Sequence, residues 1–266
     1  MVSSNIAVTH ASTGLVVADV TRAERISSHV IRITLGGDAL ADWEHVGFDQ
    51  WFRLAVPTSD AARFDNLSDR FGVSGYLKYL TLPRSTRPVI RNYTVREFRP
   101  DTAELDVDFV IHGGVGIAGP WAERLPVGDT VGLIDQGAGF RHKDAADVLL
   151  VGDESAMPAV LGILRDLDRN ATGTAVIEVP AADDVQPDEA PDGVDVRWII
   201  RSGGDRPGTR ALEEVTALVP APTVRAFSAG ESRLATGARR HLVSGCGVPK
   251  ENVAFCGYYK LRPDHA

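Results

Sequence analysis

Val148-Leu149-Leu150-Val151-Gly152-Asp153-Glu154-Ser155-Ala156-Met157-Pro158-Ala159 is the stretch on which the fold turns. Four successive apolar residues without polar alternation read as a short strand buried on both faces. Gly152 ends it, and from Ser155 to Leu167 apolar residues recur at helical spacing, at Val160, Ile163, Leu164 and Leu167. Glu154 or Ser155 suits the N-cap, and Pro158 falls in the first turn, where its missing amide costs little. Downstream the pattern repeats: strands over 175–179, 196–200, 224–228 and 252–256, helices over 210–218 and 233–243, and an exposed acidic loop over 181–193. Buried strands alternating with helices predict a parallel sheet covered on both faces. Upstream the grammar differs. Residues 15–24, 30–35, 48–56, 89–98, 104–112 and 130–135 alternate apolar with polar, with one short helix candidate among them. That predicts a six-stranded antiparallel barrel ahead of the parallel sheet, a β plus α/β chain. The long excursion over 57–88 predicts a functional loop or short helices.

The chain has 266 residues, 28 Lys plus Arg against 36 Asp plus Glu, and a net charge of −8. This ordinary globular composition argues against a disordered or fibrous protein, and its acidity argues against a nucleic-acid binder. No run of about 18 apolar residues predicts a membrane span, and residues 1–15 lack the pattern of a secretory signal. The expectation is a soluble, cytoplasmic protein. Cys246 and Cys256 are the only cysteines, too few for a disulfide framework or a cysteine-built metal site. His10, His29, His45, His142, His241 and His265 are scattered singly, without metal-ligand spacing. Charge is uneven, however: Arg63 to Arg99 holds eight basic and three acidic residues. That local excess suits either a solvated loop or a site for an anion.

Gly114-x-Gly116-x-x-Gly119 follows a strand, and Asp135 lies 16 residues beyond, which matches the spacing of a dinucleotide fingerprint. The helix behind it, 120–125, is stopped by Pro126 and the Val127-Gly128-Asp129 turn. That is too short for a parallel crossover, which needs a dozen residues or more. The glycines instead let a phosphate approach backbone amides at the start of a short helix. Arg91-Asn92-Tyr93-Thr94 lies on a predicted strand. Alternation puts Arg91 and Tyr93 on one face, an aromatic ring beside a guanidinium, which suits a flat ring joined to a diphosphate.

Taken in order, Arg91-Asn92-Tyr93-Thr94-Val95-Arg96, Asp108-Phe109-Val110-Ile111-His112-Gly113, Gly116-Ile117-Ala118-Gly119-Pro120-Trp121-Ala122, Gly152-Asp153-Glu154-Ser155 and Gly257-Tyr258-Tyr259-Lys260 resemble the siderophore-interacting protein family. These are FAD-dependent ferric-siderophore reductases of the ferredoxin–NADP reductase superfamily, and the likeness covers nearly the whole chain. It implies a Greek-key FAD-binding barrel over residues 1–142 and a Rossmann-like NAD(P)H-binding domain over 143–266. Arg91 would bind the FAD diphosphate, Tyr93 stack on the isoalloxazine and Thr94 bond its edge. Asp108, Val110 and His112 would line the rest of the flavin site, and Gly116, Ala118 and Gly119 would offer amides to the diphosphate. The family usually carries Gly-Pro-Ala-Ser-x-Trp-Ala there, so Gly119 replaces a hydroxyl donor.

Asp153, Glu154 and Ser155, with Gly230 and Glu231 after the next strand but two, fall where nicotinamide would sit, beyond the carboxyl ends of the strands. Tyr258 completes this cofactor set. Acidic Asp183 and Asp184 suit NADH, whereas Arg201 suits the extra phosphate of NADPH, so the donor stays NAD(P)H, with ferredoxin as an alternative. Electron transfer to a ferric chelate needs no general base and no protein ligand to iron. It needs positive charge for an anionic chelate, and Arg53, Lys260 and Arg262 are the candidates. The alternatives are a flavoprotein with another electron acceptor and a siderophore carrier that lacks FAD.

Overall fold

The structure, a computed structural model, describes residues 3–6, 9, 13–64, 67–68, 73–83, 85–111, 116–140 and 142–261. It divides into two compact units: Val8–Val46 with Gln50–Ala138, and Gly139–Ala266 with the segments Met1–Ala7 and Gly47–Asp49.

The first unit is one antiparallel sheet of β1 (Leu15–Arg25), β2 (Val30–Gly36), β3 (Trp51–Val56), β4 (Val89–Thr94), β5 (Glu97–Arg99), β6 (Glu104–Val110) and β7 (Thr130–Gly137). Its order is β4-β3-β7-β1-β2-β6-β5. Alternation shows in the burial: Val16, Ala18 and Val20 are buried while Val17 and Asp19 are exposed. Seven strands stand where six were predicted, because the run over 89–98 is two strands. Val95 N–H donates to Gln50 O and Arg96 N–H to Asp106 O, so two residues carry the chain from one edge of the sheet to the other. The sheet is therefore curled until its edges nearly meet. The excursion between β3 and β4 carries a helix, α1 (Val73–Leu80), as its length predicted.

α2 (Ala118–Glu123) follows β6 and is six residues long. The strand after it, β7, lies antiparallel between β1 and β3 and does not pair with β6. No parallel crossover forms, so the Gly114–Gly119 spacing is not a Rossmann turn. Trp121 of α2 joins Phe52, Leu54, Phe109 and Leu133 in the barrel core.

The second unit is a parallel sheet of β8 (Asp147–Gly152), β9 (Thr172–Val179), β10 (Gly193–Ile200), β11 (Arg225–Glu231) and β12 (Val253–Tyr259), in the order β10-β9-β8-β11-β12. Its helices are α3 (Met157–Asp166), α4 (Thr209–Thr216) and α5 (Ser232–Arg240). None of the helices among the described residues is long and apolar enough to cross a membrane. The chain runs outward from β8 to β10 and returns to β11 on the other side of β8. The strand order thus reverses between β8 and β11, which opens a crevice at their carboxyl ends. The free edge of β12 is covered by residues 3–6. Asn5 N–H donates to Phe255 O, Phe255 N–H donates to Asn5 Oδ1, Asn5 Nδ2 donates to Val253 O, and Gly257 N–H donates to Ser3 O.

Candidate functional site

On the barrel unit, β4 is an edge strand, and this exposes the Arg91 motif. In the ladder Arg91 stands opposite Leu54, Tyr93 opposite Phe52 and Thr94 opposite Trp51. Arg91 and Tyr93 therefore share a face, as alternation predicted, and Thr94 is buried on the other. The Arg91 guanidinium is exposed and donates to the Ile90 carbonyl. The Tyr93 ring lies 4.3 Å from the Phe109 ring, which lies 5.5 Å from Trp121, so an aromatic row links β4 through β6 to α2. Burial raises the pKa of the Tyr93 hydroxyl. Tyr93 acts as a neutral aromatic surface.

Gly116, at φ +93°, and Gly119 bracket the start of α2, and a Cβ on either would meet no atom within 4 Å. The backbone there is open to a ligand, and only glycine takes the Gly116 conformation without strain. Ala118 is buried beneath it. The Trp51 indole N–H, beside Thr94, is buried without an acceptor among the described residues. An exposed guanidinium, an open glycine turn and an orphaned donor beside the motif fit a flavin dinucleotide.

Of the other predicted flavin residues, one is engaged within the protein. Asp108 is fully buried at its side chain, and Arg32 Nε and Nη2 donate to its Oδ1 and Oδ2 at 2.7 and 2.8 Å. Its carboxylate is spent on that ion pair, so it orders the β2–β6 ladder. Val110 is half-buried at the end of β6, and His112 lies outside the described residues. Arg53 shares its face with Asn92 and Ile134, not with Arg91 and Tyr93, and burial lowers its pKa. Arg262 also lies outside the described residues, and Lys260 is exposed after β12.

In the second unit the residues predicted from sequence do meet at the switch crevice. Asp153 is fully buried and organises it. Ser155 N–H and Oγ donate to its Oδ1 at 3.0 and 2.6 Å, and Glu231 N–H and the Tyr259 hydroxyl donate to its Oδ2 at 2.6 and 3.1 Å. Burial and the neighbouring Glu154 raise its pKa against the pull of these donors. Gly230, at φ +115°, leaves room for the carboxylate, since a Cβ there would come within 2.4 Å of Oδ1. Glu231 accepts from Arg233 N–H at 2.5 Å and from Leu261 N–H at 3.3 Å, and Arg206 stands 3.7 Å away. Glu154 takes both ends of the Arg201 guanidinium at 2.9 Å. Arg201 also donates to Glu178 at 3.0 Å, whose carboxylate accepts from Gly208 and Ala211 N–H at the start of α4.

Sequence reasoning chose Tyr258, yet Tyr259 reaches Asp153, because successive residues of β12 face opposite ways. The roles of Arg206 and Glu178 also went unseen. Glu178 did carry a signal, as a charge inside an otherwise apolar buried strand, where an acid is almost never fully buried unless paired. The crevice acids thus bond to the protein itself: they shape a site whose ligand would meet backbone and Ser155.

Two family models match the chain: the siderophore-interacting FAD-binding domain over residues 19–139 and the siderophore-interacting protein over residues 145–262. The chain is 34% identical over 186 residues to the NADPH-dependent ferric-chelate reductase of Escherichia coli, covering 68% of this chain and 69% of that one. It is 27% identical over 245 residues to the ferric vibriobactin reductase of Vibrio cholerae, covering 91% and 88%. The solved structure of a siderophore utilization protein from T. fusca superposes with a TM-score of 0.75 at 27% identity, covering 95% and 96%.

Proposed function

Because this chain belongs to the siderophore-interacting protein family, we propose that it is an FAD-dependent reductase of ferric siderophores that draws electrons from NAD(P)H. The observation that carries this reading is the pairing, on one unit, of the exposed Arg91 and Tyr93 edge strand with the open Gly116–Gly119 turn. Bound FAD would supply the conversion of a two-electron hydride donor into one-electron deliveries to Fe(III). The balance is one NAD(P)H and two ferric chelates giving NAD(P)+, a proton and two ferrous chelates, from which iron dissociates readily.

The protein's part in this scheme is binding and orientation. Arg91 holds the diphosphate with the amides of Gly116, Ala118 and Gly119. Tyr93 would present a ring face, while Thr94 and the Trp51 indole lie on the opposite face of the β3–β4 ladder. Asp153 fixes the turn that receives the nicotinamide, with Ser155, Gly230 and Glu231 around it. Of the cations expected for an anionic chelate, Lys260 is exposed after β12, whereas Arg53 lies on the face of β3 away from Arg91 and Tyr93.

The test begins with the absorbance spectrum of the purified protein after incubation with FAD. Anaerobic addition of NADH, NADPH or reduced ferredoxin should bleach the flavin with at least one donor. Ferric chelates should then restore the oxidised spectrum and release Fe(II) to a chromogenic ferrous chelator. Failure to retain FAD would favour the carrier. Reoxidation by free flavin or quinone but by no ferric chelate would favour a different acceptor.

A further inference from the structure

From Arg70 to Arg96 the sequence carries six cations, Arg70, Lys78, Arg84, Arg87, Arg91 and Arg96, and no acid, in a chain whose net charge is −8. Four of them belong to the excursion between β3 and β4 that carries α1. The faces of that helix differ. Gly75 is buried, and Tyr79 one turn later packs against Ala55, Leu67, Leu82 and Ile134 of the barrel unit. Leu77 is 59% exposed and Leu80 42%, and a spacing of three sets them together on the outward side, with Lys78 exposed beside them. We infer that this face docks the protein on an anionic phospholipid bilayer, with the two leucines entering at headgroup depth and the cations meeting lipid phosphates.

The exposure of the leucines is built into the excursion. The Tyr79 hydroxyl donates to Pro88 O at 3.0 Å, and Arg87 donates through Nη2 to Leu80 O at 2.8 Å and through Nε to Leu82 O at 3.1 Å. The Arg87 guanidinium also lies 5.4 Å from the centre of the Tyr79 ring. These contacts fasten the carboxyl end of α1 to the segment that enters β4, so the helix is held with its leucines turned from the barrel core. Covering them on another surface would take two large apolar side chains out of water. Charge selects that surface. A second copy of this chain would set six cations against six across a two-fold contact, and like charges repel. Leu77 and Leu80 span one turn, short of the run of anchors from i to i+7 that seats a helix in a protein groove. A bilayer asks for less: apolar tips at the headgroup boundary and a cluster of about four to eight Lys or Arg close by. With Arg91 set aside for the flavin diphosphate, five cations remain to meet that demand. Lipid binding needs no cofactor, so the docking surface stands or falls apart from the flavin reading.

Cosedimentation of the purified full chain with vesicles tests the proposal. Vesicles of equal parts phosphatidylglycerol and phosphatidylcholine should carry the protein down at low salt, and vesicles of phosphatidylcholine alone should leave it in solution. Salt at about 1 M, where the screening length falls to about 3 Å, should release it. Leu77→Ser combined with Leu80→Ser should weaken binding about tenfold or more, and Lys78→Glu should weaken it at least threefold. All three side chains are exposed, so the circular dichroism spectrum of these variants should match that of the wild type. Wild-type protein that ignores both kinds of vesicle, equal binding to the two, or leucine variants that bind as the wild type does would each overturn the proposal. A dimer in sedimentation velocity that the leucine pair dissolves, with no vesicle binding, would overturn it in favour of a second copy.

Discussion

Replacing Gly230 with alanine places a methyl group into the Asp153 carboxylate, which organises the crevice proposed for nicotinamide. The new Cβ would lie 2.4 Å from Asp153 Oδ1 and 2.6 Å from Oδ2, far inside van der Waals contact. An acid side chain on the surface would swing away, but Asp153 is fully buried and held by four donors. Moving it breaks one or two of these hydrogen bonds, each contributing about 1–1.5 kcal/mol, because burial and Glu154 hold the acceptor's pKa up at about 7 and leave it only partly ionised at neutral pH. The φ of +115° adds strain of about 1–3 kcal/mol for a residue with a Cβ. The expected destabilisation is about 2–6 kcal/mol, read from urea unfolding followed by tryptophan fluorescence. Because the flavin residues belong to the other unit, FAD content per folded chain should be unchanged, while KM for NAD(P)H rises. A double-mutant cycle isolates the contact: in an Asp153→Ala background the methyl has room, and Gly230→Ala should cost only the strain. The two changes should therefore couple by about 1–3 kcal/mol. Additive effects would refute the claim that Gly230 exists to admit the Asp153 carboxylate.

Arg91→Ala should weaken FAD binding by about 2 kcal/mol, the worth of a charge-assisted contact, and equilibrium dialysis against FAD measures it. Tyr93→Phe should retain nearly all flavin affinity and Tyr93→Ala should lose roughly tenfold, since the ring face and not the hydroxyl is used. Burial raises the Asp106 pKa, but hydrogen bonds from Arg99 and Thr34 outweigh it and hold the net value below the usual carboxylate range. The unfolded chain therefore binds the extra proton, so this stabilisation is full above about pH 4 and fades as pH falls through the depressed value. Arg99→Gln should lower stability by about 2 kcal/mol at pH 7 and flatten that acid limb in urea midpoints taken from pH 7 to pH 3. Arg201, clamped by Glu154 and Glu178, is not available to a 2′-phosphate, so NADH should give the higher kcat/KM, and Glu154→Gln should narrow the gap severalfold in anaerobic flavin reduction.

The two architectures were legible because alternation and short apolar runs are local signals. The break at Val95–Arg96 was not, because both residues continue an apolar–polar alternation and only their partners in β3 and β6 separate the strands. The shared face of Arg91 and Tyr93 and the openness of the Gly116–Gly119 turn could be read in advance, since alternation and glycine freedom are properties of a few consecutive residues. Asp108 could not be, because its partner Arg32 lies 76 positions away across a ladder whose register no local pattern reveals. The acids Asp153, Glu154 and Glu231 were placed correctly at the strand ends, but their inward bonding follows from Tyr259, Arg201 and Leu261, brought together by strand order alone. The outward face of α1 depends on how the excursion after β3 folds back, and loops of that length carry no periodic signal.

The strip of backbone that Ser3 and Asn5 lay along β12 sets a timetable for biosynthesis. Asn5 leaves the ribosome 250 residues before its partner Phe255, roughly 12–50 s earlier at 5–20 residues per second. The barrel residues are all made in that interval, so one unit can mature while the other still waits for its last strand. The leading segment must stay unattached meanwhile, and closing so long a loop is intrinsically slow. A cut that begins the second unit at residue 143 would leave β12 with bare N–H and C=O groups, an edge prepared for pairing with a second nascent chain.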